Sequence, residues 1–362
     1  MPNPISPPTP HAAPQPAMPA AARGTIGRRA VLGAAGAAGL LFAGLRHARA
    51  AGVTLTLYSA QHQQMVKMLT AGFTKATGIG VRIHAGEAPE IASQILREGA
   101  RSPADVYFTE NSPELTLLDE KGMLAKVDAA TLAAVPARYS AASGNWVGVL
   151  ARENVLAYNP AMIAEAALPA SLMDLAGPGW KGKVAIAPSD ADFLPLIDAV
   201  VALKGEKAAL AWLRGLKTNA QIFDDDEGVI AAVDRGTVAT GIINFYYWAR
   251  LRTEQGAART KSRVHHFTGG DVGALINVSG AAVLKSSRHA AAAQRFLAYL
   301  VSTPVQTAIA QGDVDFEYPL AKGVKPNPLL RPFDTLQPPD LSMAQLGDDR
   351  MAARLLRQAG LI

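Results

Sequence analysis

Two adjacent tyrosines, Tyr246 and Tyr247, stand in the stretch Asn244-Phe245-Tyr246-Tyr247-Trp248, just after the apolar run Val238-Ala239-Thr240-Gly241-Ile242-Ile243. Tyrosines at the end of an element commonly pack with the ring in the core and the hydroxyl at its edge. A phenol that loses its proton to a metal instead supplies a hard anionic oxygen, the donor that Fe³⁺ prefers. Partners elsewhere in the chain decide between these roles. His62 and Glu110 are the first candidates, because each falls just past a predicted strand. Neutral His62, ionised Glu110 and two phenolates would together balance the charge of a ferric ion and leave two octahedral positions open for water or a small anion. Plainer roles stand beside these: His62 as the cap of the following helix, Glu110 as the partner of a lysine.

Elements must position such donors. Val53–Tyr58 alternates as a strand, Gln63 to Thr77 has helical spacing stopped by Gly78, and Val81-Arg82-Ile83-His84 begins a second strand. Glu90 to Gly99 reads as a helix and Ala104–Phe108 as a third strand ending at Thr109-Glu110. This β-α-β-α-β rhythm predicts a parallel sheet covered by helices, with ligands beyond the carboxyl ends of its strands. Trp146–Leu150 and Val155–Asn159 read as paired strands leaving that unit. A second α/β rhythm runs to about residue 270, Ser279–Leu284 reads as another crossing, Ala290–Val301 as a helix, and Met343–Gln358 as a C-terminal helix after a Pro-rich stretch. Two α/β lobes with more than one crossing describe a hinged binder. The expected borders are 51–153 plus 277–325 for one lobe and 154–276 plus 326–362 for the other.

Composition narrows the chemistry. The 362-residue chain has no cysteine, which excludes disulfides, zinc-thiolate sites and thiol nucleophiles. Its formal charge of +5 is misleading. Five arginines and no acid lie in residues 1–50, so the remainder is balanced and has no basic stripe for nucleic acid. Those first residues hold Gly27-Arg28-Arg29, an uncharged run from Ala30 to Leu45, and Ala48-Arg49-Ala50. The pattern predicts a signal peptide over 1–50, of twin-arginine type, and an exported mature chain.

Several motifs fail on inspection. Gly177–Lys183 has phosphate-loop spacing, but Val184 stands where a hydroxyl must hold magnesium. There is no G-x-S-x-G elbow and no H-E-x-x-H helix. Asp224–Gly228 lacks the calcium-loop pattern and reads as a solvated turn. His265-His266 would point to opposite faces of a strand.

From Thr54 to Ile362 the chain resembles the bacterial periplasmic ferric-iron-binding proteins, the substrate-binding components of iron ABC transporters. The resemblance is carried by Leu57–His62, Pro103–Glu110, Trp180–Lys183, Asn244–Trp248 and Ser279–Leu284. It implies a two-lobed, transferrin-like type II periplasmic binding fold that closes by hinge motion, with no enzymatic activity. The family's ligands fall on His62, Glu110, Tyr246 and Tyr247. Implied partners are ferric iron and an inner-membrane ABC permease with its ATPase, met in the periplasm by a monomer.

One departure bears on the remaining metal positions. Many members hold a synergistic anion through small residues and asparagines, whereas this chain has Asp190 and Asp192 in the first stretch and Asp226 at one asparagine position; Asn244 keeps the other. Carboxylates repel an anion, so water, or Asp190 or Asp192, is expected to complete the shell. A clamp for a thiamine-like or polyamine cation is the alternative, with the acids binding charge and the tyrosines stacking on it. An exported hydrolase with an Asp pair is a third, supported only by the acids.

Overall fold

The computed structural model describes residues 52–312 and 315–362. The signal-peptide and twin-arginine expectations concern residues 1–50 and lie outside the described residues.

The first sheet grows from β1 (Thr54–Ala60), β2 (Gly80–Ala85) and β3 (Val106–Thr109), with β1 parallel to both neighbours. Between β1 and β2 runs the helix Gln63–Thr77. It buries Met65, Val66, Leu69 and Phe73 at three- and four-residue spacing and ends at Gly78, whose φ of 75° is the left-handed cap that glycine adopts freely.

β4 (Val147–Tyr158) is buried along its whole length. Its first half pairs antiparallel with β9 (Ile276–Val283), and β9 pairs with β3, so the sheet order is β2-β1-β3-β9-β4. Its second half belongs to another layer, pairing antiparallel with β7 (Thr240–Asn244) and with β8 (Arg263–His265). β5 (Val184–Ile186) and β6 (Ala220–Ile222) extend that layer in parallel from β7. β10 (Tyr318–Pro319) adds to the outer side of β4. Gly241 lets the helix Asp226–Arg235 lie close on β7, because a Cβ there would fall 2.4 Å from Val229 Cγ1.

Three expectations require correction. The two strands expected at Trp146–Leu150 and Val155–Asn159 are one strand; Ala151-Arg152-Glu153-Asn154, too polar to resemble a buried strand, is its middle, and its charged groups find buried partners. The C-terminal helix begins only at Arg350 and ends at Ala359. Met343–Leu346 is a separate 3₁₀ turn, and the chain reverses through Gly347 and Asp349, both at positive φ. Asp224–Gly228 is not a solvated turn throughout: Asp225 caps a helix by accepting from the Gly228 amide, and Asp226 is buried.

Candidate metal centre

The expected donors all lie at carboxyl ends of parallel strands or in the first turn of the next helix. His62 follows β1 and occupies the N-cap position of Gln63–Thr77, yet its side chain caps nothing. Glu110 follows β3. Asn244 ends β7, and Tyr246 and Tyr247 lie in the first turn of the helix Phe245–Gln255. Asp190 and Asp192 follow β5. The strand ends therefore bring together residues up to 185 positions apart in sequence, from His62 to Tyr247.

The side chains meet. His62 Nε2 stands 3.3 Å from Glu110 Oε2. Adjacent donors on an octahedral ion with bonds of about 2.1 Å are separated by about 3 Å, so this pair already has the spacing of neighbouring ligands. The His62 ring lies 5.3 Å from that of Tyr246, which in turn stacks on Tyr247 at 4.1 Å between centroids. Tyr246 is buried, and its hydroxyl donates to Asp192 Oδ2 at 2.9 Å. Arg250 lies over both tyrosine rings and is paired with Glu227 at the rim. Two grooves of about 600 and 660 Å³ are both lined by His62, one reaching Tyr247 and the other Glu110, so these three side chains are reachable from solvent.

The remaining acids form a layer behind the tyrosines. Asp190 accepts from the amides of Asp192 and Asp226, and Asp226 accepts from the Asn244 amide at 3.2 Å. The Asn244 side-chain oxygen is buried without a hydrogen-bond partner among the described residues.

A scan against family models matches the bacterial extracellular solute-binding proteins over residues 68–331. The chain belongs to that family. It is 40% identical to the Fe(3+)-binding periplasmic protein of Serratia marcescens over 85% of this chain and 90% of that one. Identity to the major ferric iron-binding protein of Neisseria meningitidis is 36%, over 89% of this chain and 97% of the relative. Among solved structures, iron-bound HitA from Pseudomonas aeruginosa superposes with a TM-score of 0.81 at 45% identity, covering 85% of this chain and 99% of that one. The fold of this solute-binding protein is accordingly the two-lobed type II periplasmic clamp.

Three residues absent from the sequence reasoning, Arg152, Asp315 and Glu317, complete the site. Arg152, in the middle of β4, is fully buried and sits 3.4 Å from Glu110, 3.3 Å from Asp192 and 3.5 Å from Glu317. It also donates to the Glu110 backbone carbonyl and to Asn111. Glu110 thus pairs with an arginine of its own strand system and not with a lysine. Asp315 Oδ2 contacts His62 Nδ1 at 3.0 Å, and Glu317 lies close enough to both to form a His-Asp-Glu cluster. A charged Arg-Glu-Asn between valine-rich flanks, and the alternation Asp315-Phe316-Glu317-Tyr318, were the signals available in the sequence.

Electrostatics follow from burial and crowding. Burial, then repulsion from Asp192, raises Glu110 to about 7 against the pull of Arg152 and His62. Burial works against charge on His62, but the hydrogen bond and charge of Asp315 overcome it and raise the imidazole to about 9. Burial likewise opposes charge on Asp192, yet the Arg152 guanidinium outweighs it and holds that carboxyl below its usual range. Burial pushes Glu317 and Asp226 well above theirs. Six carboxyl groups crowd around the Arg152 guanidinium and the His62 imidazole, with Arg250 at the rim already paired with Glu227, an excess that a multivalent cation would neutralise.

Proposed function

We propose that this protein captures ferric iron in the cleft between its lobes and delivers it, in the periplasm, to an inner-membrane ABC permease and its ATPase, without catalysing a reaction. The observation that carries this is the convergence of His62, Glu110, Tyr246 and Tyr247 at the ends of strands from both sheet layers, within an excess of carboxylates. The names of the relatives from Serratia and Neisseria point to the same cargo.

In this reading His62 Nε2, one Glu110 oxygen and the two phenolates hold the ion. Burial and the surrounding carboxylates keep both tyrosines protonated in the iron-free protein, so the charge of Fe³⁺ must displace their protons. Asp190, Asp192, Asp226 and Asn244 surround the remaining positions, with water or a directly bound aspartate in place of an anion. The lobes are 51–153 plus 277–325 and 154–276 plus 326–362. β4 changes partners at Asn154, and the helix Arg350–Ala359 packs on Phe193–Lys204 and Glu206–Asn219, which supports the border near 154 and the place of the last helix in the second lobe.

The test is a visible titration of the mature protein with ferric citrate. A phenolate-to-iron charge-transfer band should saturate at one iron per chain and vanish in Tyr246→Phe/Tyr247→Phe with the fold intact. A double variant that still holds iron against citrate would sink the assignment.

A further inference from the structure

Asp315 comes from the segment just before β10, 253 residues after His62, and its Oδ2 lies 3.0 Å from His62 Nδ1, within hydrogen-bond distance. The opposite ring nitrogen, Nε2, is the one that faces Glu110 Oε2 at 3.3 Å. An imidazole can give a metal only one nitrogen, and the hydrogen bond made by the other decides which nitrogen is free and how the ring is turned. Asp315 is buried, and its second oxygen, Oδ1, has no hydrogen-bond partner among the described residues. Neither a helix cap nor a surface ion pair explains a carboxylate held there. Two residues on, buried Glu317 meets Arg152, and Arg152 meets Glu110. The two donors from the first lobe are therefore backed by one short segment.

Resting on the ferric reading above, we propose that Asp315 is the positioning residue of the site: it holds the proton on His62 Nδ1 and so presents Nε2 to the ion. Asp315 does not touch the metal. It acts through the imidazole, as carboxylates behind metal-bound histidines do generally, where their loss weakens metal binding by about 10- to 100-fold.

The experiment compares the full mature protein with Asp315→Asn, Asp315→Ala and Asp315→Glu. Iron transfer to citrate is followed through the phenolate band, and ¹⁵N-labelled histidine is observed in protein loaded with gallium(III), a diamagnetic ion of the same charge. In the wild type, Nδ1 should carry the proton and Nε2 the metal. Asp315→Ala should release iron about 10- to 100-fold more readily, Asp315→Asn should alter the Nδ1 proton signal while keeping the fold, and Asp315→Glu should recover part of the affinity. Metal on Nδ1 in the wild type overturns the proposal. So does unchanged iron release in folded Asp315→Asn and Asp315→Ala. A wild type that forms no phenolate band overturns the ferric reading and this proposal together, whereas a normal band with indifferent Asp315 variants overturns this proposal alone.

Discussion

Arg152→Met removes the fully buried guanidinium that three carboxyl groups share and keeps an unbranched side chain of similar reach. Glu110, Asp192 and Glu317 then lose a cation at 3.3–3.5 Å, two of the three while themselves almost fully buried. Breaking a buried pair by deleting one member costs about 3–5 kcal/mol. Three partners do not triple that figure, because carboxyls left unpaired take up protons, and each unit of pKa they must rise is about 1.4 kcal/mol. The cost should therefore grow with pH. At pH 8 the iron-free variant is expected to melt about 10 °C below wild type, taking roughly 2–4 °C per kcal/mol; at pH 5.5 the gap should be much smaller. Ferric loading should also narrow it, since the ion returns positive charge to the same carboxylates. Adding Asp192→Asn and Glu317→Gln should recover most of the loss. The assay is thermal unfolding followed by circular dichroism, with and without iron, at both pH values. A pH-independent loss, or one under about 1 kcal/mol at pH 8, would refute the view that Arg152 is the countercation of these buried carboxylates.

Two further outcomes follow from the same charges. Both His62 and Glu110 bind their protons more tightly in the folded chain than in the unfolded one. Stability contributed by His62 is complete below its unfolded pKa of 6.5 and lost as pH rises through about 9. That from Glu110 is complete below 4.5 and lost as pH rises through about 7. Iron-free protein should thus weaken between about pH 5 and 9, and ferric uptake should release protons, more of them at pH 6 than at pH 9.5, measurable by uptake in buffers of different ionisation enthalpy. Phosphate is a separate check. With Asp190, Asp192 and Asp226 around the open positions, ferric protein purified from phosphate buffer should carry no stoichiometric phosphorus; one phosphate per iron would show that the acids do not exclude an anion.

The parallel β-α-β opening was legible because its signals are local: the Leu55/Leu57 alternation, the three- and four-residue spacing of Met65, Leu69 and Phe73, and Gly78 at the stop. The four proposed donors were legible as types placed at strand ends, and the roles proposed for them came from the family resemblance. Arg152 was missed because polarity inside a strand reads as a turn when the groups that neutralise it lie up to 165 residues away, at Glu317. Asp315 was missed for the same reason, its partner His62 lying 253 residues earlier. The C-terminal helix was drawn too long because nothing in Gly347-Asp348-Asp349 alone says that Asp349 turns left-handed; its amide is fixed there by Asp198 from a distant helix.

The placing of β9 between β3 and β4 has a consequence for how the chain is made. β3 is complete by Thr109, but the strand that covers its open edge does not end until Val283. During synthesis a stretch of about 170 residues must therefore emerge before that edge is covered, and exposed edges invite pairing with other chains. No N-terminal fragment ending before β9 is a finished folding unit, and long-range closures of this kind are slow. A nascent chain stalled in that interval is the form most in need of a chaperone.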